Sequence, residues 1–162
     1  MKCQKGFGLI ELLVGLTLVG VLTGIAYPSF CAMLETQRHR EAALQLSHSL
    51  RSARTEALLR SQTIWVEAID DDWSRGWQIR PDSDNEQVLL AERTRNGKPR
   101  IVGNSKIMNS IGFSAQGMPL QIGNGSLFMC MRDQPRSHYQ VIVAGNGRVR
   151  VDESKGEQAL CG

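Results

Sequence analysis

Residues 7–30 read FGLIELLVGLTLVGVLTGIAYPSF, 24 residues with a single charge, Glu11. At about 1.5 Å of rise per residue, roughly twenty helical residues cross the ~30 Å hydrocarbon core of a bilayer. Apolar residues occupy every helical face, which excludes the half-buried surface helix of a globular domain. A short basic leader, MKCQKG, comes first. Two features ask for a reason. One is a carboxylate inside an apolar span, where an acidic side chain at a membrane helix's centre costs roughly 2.5–3.5 kcal/mol. The other is a glycine, Gly6, at the leader junction. A buried carboxylate is tolerable opposite a buried ammonium and strongly destabilising alone.

The run Lys5-Gly6-Phe7-Gly8-Leu9-Ile10-Glu11-Leu12-Leu13-Val14 resembles the class-III signal of type IV pilins and pseudopilins. The resemblance implies cleavage after Gly6 by a prepilin peptidase on the cytoplasmic side, then N-methylation of Phe7. It implies that Glu11 pairs with the N-terminal amine of a neighbouring subunit during assembly. Before assembly the chain would cross the inner membrane once, with its head in the periplasm. Afterwards it would sit in a filament beside other pilins, with the tip as one candidate position. An ordinary signal peptide cut after Gly24-Ile25-Ala26 is the alternative. Glu11 and a helical pattern that continues beyond this site argue against it. A plain anchor leaves Glu11 without a reason, and the bulky Phe30 before Cys31 argues against lipoprotein processing.

Pro28 lacks the N–H that a helix interior needs, so a kink is expected where the helix leaves the membrane, and Pro28 joins Glu11 as an assembly residue. Gly20 and Gly24 form a small-x-x-x-small pair, either a close-packing point or common membrane-helix composition. From residue 31 to about 60 the pattern turns amphipathic. Ala43, Leu46, Leu50, Ala53 and Ala57 step by three and four and mark one apolar stripe. His39 and His48 read as ordinary surface or boundary residues. The expected organisation is a leader (1–6), a membrane and filament-core helix (7–30), an amphipathic second half (31–60) and a β-rich head (61–162).

Short β-patterned runs follow, at 63–69, 76–80, 87–91, 107–114, 126–131, 139–144 and 148–151, with residues 93–106 expected as an exposed basic loop. Asn146-Gly147 is a hairpin-turn signal. The expected fold class is α+β, a long N-terminal helix packed on a small head of antiparallel sheets. Later stretches, LRSARTEA at 50–57, WSRGW at 73–77, Ile111-Gly112-Phe113 with Gly117, and GRVRV at 147–151, resemble the GspH/FimT family of minor pilins and pseudopilins. That family's fold, a long helix carrying a small two-sheet head, agrees with the reading from the residues.

The formal charge of +3 conceals an asymmetry: residues 61–92 carry −6 and residues 93–162 carry +6. Loss of the leader removes Lys2 and Lys5 and leaves +1, so polyanion binding requires a local patch. Arg148 and Arg150 lie two apart, so in a strand both guanidiniums share a face beside a tight turn. Guanidinium is a planar, multi-donor partner for phosphate. Spacing alone equally fits a solvated face or a guarded edge strand. The resemblance adds that Gly-Arg-x-Arg near the C-terminus, here beginning at Gly147, is associated with DNA binding in competence-related members. Arg132, Arg136, Lys155 and the 93–106 segment are candidates to enlarge the patch. Double-stranded DNA is thus a candidate partner; export through a type II secretion system is the alternative function.

Cys3 falls in the leader. In an oxidising compartment Cys130 and Cys161 can form a disulfide, against the alternative of a buried thiol and an incidental one, with Cys31 left over. Gly-x-Ser-x-Gly, His-Glu-x-x-His and phosphate-cradling loops do not occur. Asp70-Asp71-Asp72 lacks the spaced ligands of a calcium loop and reads as a solvated turn. No enzyme activity, cofactor or metal is expected.

Overall fold

The computed structural model describes residues 8–82, 89–121, 123–132, 134–153 and 156–162. The chain divides into two compact units, Met1–Gln37 and Arg38–Gly162. One helix, α1 (Leu9–Arg60), supplies the first unit's described structure and opens the second. It runs on through Pro28. In the first unit the apolar side chains are exposed, among them Leu12, Leu16, Val19 and Ile25. By length and composition this helix can cross a membrane.

Among the described residues the second unit holds eight strands. The first sheet has the order β3-β2-β1-β5 and the second β4-β6-β7-β8. They comprise β1 (Ile64–Ala68), β2 (Gly76–Pro81), β3 (Ala91–Thr94), β4 (Arg100–Gly103), β5 (Ser110–Phe113), β6 (Gly125–Cys130), β7 (Ser137–Val143) and β8 (Val149–Glu153). All pairings are antiparallel. Both sheets meet the stripe expected on α1. Ala43, Leu46, Leu50, Ala53 and Ala57 are fully buried with Val66 and Ile111 of the first sheet and Leu127, Met129 and Val141 of the second. Alanine at three stripe positions leaves room for strand backbones to come close. The helix closes at Ser61, which takes φ 53°, while the Gln62 N–H donates to the Ala57 carbonyl. This is the six-to-one bond of a Schellman end, with serine in the usual glycine place.

Several expectations are corrected. Residues 93–106 are not a loop throughout; they contain the end of β3 and all of β4. Both are edge strands, and β3 is exposed along its whole length, so it shows no apolar alternation to read. The strand expected at 87–91 begins only at Ala91, and residues 87 and 88 lie outside the described residues. Ile107 is buried but precedes β5.

His39 is buried, not at the surface. It meets the buried His138 edge-on, with ring centroids 5.5 Å apart. The cause is a β-bulge: Met129 pairs with Tyr139 but Cys130 with Ser137, so His138 is an extra residue in β7. The bulge sets His138 against Tyr139, in stacked contact at 5.1 Å.

The disulfide joins Cys130 to Cys161, with Cα atoms 5.4 Å apart. Both cysteines form a small second cluster with Phe128 and Val102. These residues alternate with the core-facing Leu127, Met129 and Ile101 and so occupy the outer face of the second sheet. The tail reaches that face past β7, where the Gln158 N–H donates to the Pro135 carbonyl. Cys31 is an exposed free thiol.

Candidate functional site

The hairpin joining β7 to β8 carries the two arginines singled out by the sequence. The Gly147 N–H donates to the Ala144 carbonyl at 2.8 Å, and the Ala144 N–H donates to the Arg148 carbonyl at 2.9 Å. Gly147 takes φ 78°. This is a turn followed by a left-handed glycine, the common three-residue hairpin loop. The Asn146 carboxamide oxygen accepts from the Arg148 N–H at 3.1 Å. Asn146 thereby ties its side chain to the backbone of the first arginine.

Beyond the turn, Val149 enters the core and Val151 packs against it. Alternation sends Arg148, Arg150 and Asp152 to the other face. Both arginines are exposed. Arg150 pairs with Asp152 at 3.6 Å. Among the described residues Arg148 enters no ion pair. An exposed pair such as Arg150–Asp152 is worth about 0–1 kcal/mol, too little to hold Arg150 away from a better anion.

Two more arginines, unassigned to the patch by sequence reasoning, reach this hairpin from α1. The Arg51 guanidinium donates to the Val149 carbonyl at 2.9 Å, between the two hairpin arginines. Arg54 donates through Nε to the Gly117 carbonyl at 2.8 Å and through Nη2 to the Asn146 carbonyl at 3.4 Å. Gly147 lies against the same group: a Cβ there would collide with the Gly117 carbonyl oxygen and stand 2.9 Å from Arg54 Nε. Their three-residue spacing places Arg51 and Arg54 on one helix face, within the family-like stretch at 50–57.

The other basic candidates lie elsewhere. Arg132 follows β6 and Arg136 precedes β7, at the end of the second sheet where Cys130 pairs with Ser137. Arg148 adjoins the opposite end, where Val143 pairs with Val149. At about 3.4 Å per residue, the length of β7 separates them by roughly 20 Å. Arg136 also faces Glu157 at 4.0 Å. The patch is therefore not enlarged by Arg132 and Arg136. Lys155 lies outside the described residues.

Residues 93–98 of the 93–106 segment also contribute elsewhere. Arg93, Arg95 and Lys98 line a polar cleft of about 350 Å³ with Arg38 and Glu41 of α1. Arg38 and Arg51 are roughly 20 Å apart along a helix rising about 1.5 Å per residue. Arg95 donates to the Gln45 side chain at 3.0 Å and to the Lys98 carbonyl at 2.9 Å. Burial lowers the pKa of its guanidinium, and Glu41 opposes that shift.

At the other end of the chain, Gly6 and Phe7 lie outside the described residues. Glu11 is in the first turn of α1, and its carboxylate accepts from the Gly8 N–H at 3.0 Å. A carboxylate here satisfies a donor left over by the helix start and meets the positive end of the helix dipole.

Residues 42–147 match the family model described as "Type II transport protein GspH". The chain belongs to the GspH family. Residues 1–27 also match the "Prokaryotic N-terminal methylation motif". No curated protein matches the chain. The fold of this GspH-family chain is shared by the type IV minor pilin FimU of Pseudomonas aeruginosa, solved in two crystal forms. One has a TM-score of 0.66 at 19% identity, covering 80% of this chain and 98% of FimU. The other has a TM-score of 0.62 at 20% identity, covering 75% and 98%. The chain is thus a minor pilin or pseudopilin of a type IV pilus or type II secretion system, and its family and fold are those of structural pilins. Membership implies processing by the prepilin peptidase and assembly with other pilins, and the apolar helix suits membrane anchoring.

Proposed function

We propose that this chain is a minor pilin of a type IV pilus that contacts double-stranded DNA through Arg148 and Arg150. On this reading the peptidase cuts after Gly6, and Phe7 becomes the methylated N-terminus. Glu11 then exchanges its local Gly8 partner for the terminal amine of a neighbouring subunit. An ammonium is the stronger partner for a carboxylate in apolar surroundings, so the exchange favours subunits in register. Pro28 belongs to the same assembly segment. The head, periplasmic before assembly, stands at the surface or tip of the filament. The name of the solved structures that share the fold, a type IV minor pilin, supports the pilus.

The observation that carries the DNA reading is the hairpin. Two exposed guanidiniums stand on one strand face beside a turn fixed by Asn146 and Gly147, and Arg148 enters no ion pair among the described residues. Guanidiniums so placed hold phosphate oxygens, which carry no base sequence. Binding is then indifferent to sequence and weakens steeply with salt.

The test is binding of labelled mixed-sequence duplex to the purified protein at two salt concentrations, beside the Arg148→Ala/Arg150→Ala variant. Salt-sensitive binding lost in the variant is expected. Equal affinity in both proteins would reject the role of the arginines. The family description favours a second reading, a type II secretion pseudopilin acting in protein export. A deletion strain separates the two: the first predicts loss of piliation or DNA uptake, the second loss of protein secretion.

A further inference from the structure

Arg51 and Arg54 do more than decorate the exposed side of α1. Each guanidinium has five N–H donors. Arg51 gives one to the Val149 carbonyl, and Arg54 gives two, to Gly117 and Asn146. These acceptors are neutral carbonyls, which orient a guanidinium without cancelling its charge. Neither arginine enters an ion pair among the described residues. The fold therefore brings the Arg51 and Arg54 guanidiniums onto the backbone of the hairpin that carries Arg148 and Arg150, with Asp152 the one carboxylate ion-paired to any of the four among the described residues.

The geometry also makes Arg54 a clasp. It bonds simultaneously to the turn at Gly117, with φ 71°, and to the hairpin at Asn146, beside Gly147 with φ 78°. Both glycines allow this close approach, because an added Cβ would stand only 3.2 Å from Arg54 Nε at Gly117 and 2.9 Å from it at Gly147. Arg51 bonds three residues further along, to the carbonyl of Val149, the residue between the two hairpin arginines.

We propose that Arg51 and Arg54 complete the phosphate-binding surface of the hairpin, so that a phosphodiester backbone spans both α1 and β8, and that Arg54 is in addition the positioning residue that holds Arg148 in place. This rests on the DNA reading above and extends it to a composite site of four arginines. Arg51 contributes charge and spare donors. Arg54 contributes both and fixes the turn.

The experiment uses the full-length protein in a non-ionic detergent with a labelled mixed-sequence duplex, titrated across a range of salt. Each phosphate contact adds about 0.9 to the slope of log affinity against log salt. Arg51→Gln is expected to weaken binding several-fold and lower the slope by about 0.9, with Arg51→Lys restoring the slope. Arg54→Lys keeps the charge and loses the two-carbonyl clasp. It is expected to keep the slope, weaken binding, and speed hydrogen exchange at the amides of Gly147 and Arg148. Arg51→Gln and Arg54→Gln variants that bind with wild-type affinity and slope, while Arg148→Ala/Arg150→Ala does not bind, would overturn this inference and leave the hairpin reading standing. A wild-type protein that ignores the duplex at low salt would overturn both. Unchanged exchange at Gly147 and Arg148 in Arg54→Lys would overturn the positioning role.

Discussion

Replacing Gly147 with alanine tests the clasped hairpin as a structural unit. At φ 78° an alanine occupies the left-handed region, at a cost of about 1–2 kcal/mol. Its Cβ would also collide with the Gly117 carbonyl oxygen and crowd Arg54 Nε. The turn must then move away from α1 and stretch or break the 2.8 Å bond from Arg54 to Gly117. A hydrogen bond to a charged group contributes about 1.5–3 kcal/mol. Together Gly147→Ala is expected to cost about 3–4 kcal/mol, a fall of roughly 12–16 °C in Tm at about 4 °C per kcal/mol. The control is two residues away. Gly145 does not have a positive φ, and a Cβ there meets nothing within 4 Å. Gly145→Ala should therefore stay within about 0.5 kcal/mol of wild type. The assay is equilibrium denaturation of the oxidised protein, with both substitutions repeated in an Arg54→Ala background. There the cost of Gly147→Ala should shrink by the part that the Arg54 bond contributes, leaving the left-handed strain and the contact with the Gly117 carbonyl oxygen. Equal losses at the two glycines, or a Gly147→Ala loss unchanged by removing Arg54, would refute the reasoning.

Cys130 and Cys161 close a loop over a sequence separation of 31, so reducing them should cost about 3–4 kcal/mol, read as a fall in denaturation midpoint; Cys31→Ser should leave stability unchanged. Glu67 accepts two bonds from Arg80, at 2.6 and 2.8 Å, and this pairing holds its carboxyl below the usual 4.5 against the opposing effect of burial. Its contribution is present above the unfolded pKa and disappears as pH falls through the lower folded value. Glu67→Gln should therefore lose about 1–2 kcal/mol at neutral pH, with the two unfolding curves converging progressively below pH 4.5. Trp73 donates its ring N–H to the Met108 carbonyl at 2.7 Å, whereas the buried Trp77 N–H has no acceptor among the described residues. Both rings shrink equally on conversion to phenylalanine, so Trp73→Phe should cost about 1 kcal/mol more than Trp77→Phe in denaturant.

The helix was legible because two physical signals coincide along it. Residues 7–30 are apolar on every face, and the stripe from Ala43 to Ala57 repeats at the helical period. The β7–β8 hairpin was legible for a similar reason: Asn146-Gly147 separates two alternating segments. The disulfide followed from export chemistry and from the positions of Cys130 and Cys161. β3 was hidden because it is exposed along its whole length, and β4 because Ile101 and Val102 are the only large apolar residues in its four. The burial of His138 depends on one extra residue in β7, which only strand register reveals. Arg51 and Arg54 were concealed for another reason. Their partners are backbone carbonyls, and any residue type can supply a carbonyl, so no pairing pattern marks them. Charge along the sequence also misled at Arg132 and Arg136, which the topology carries to the far end of the sheet from Arg148.

The central claim is that this chain is a pilus subunit matured for assembly through its helix. Mass spectrometry of the protein recovered from its native membrane, intact and after digestion, tests this most directly. The account predicts a chain that begins at Phe7, carries one methyl group on its terminal amine and retains Glu11. A chain beginning at Met1 or at Tyr27 would contradict it.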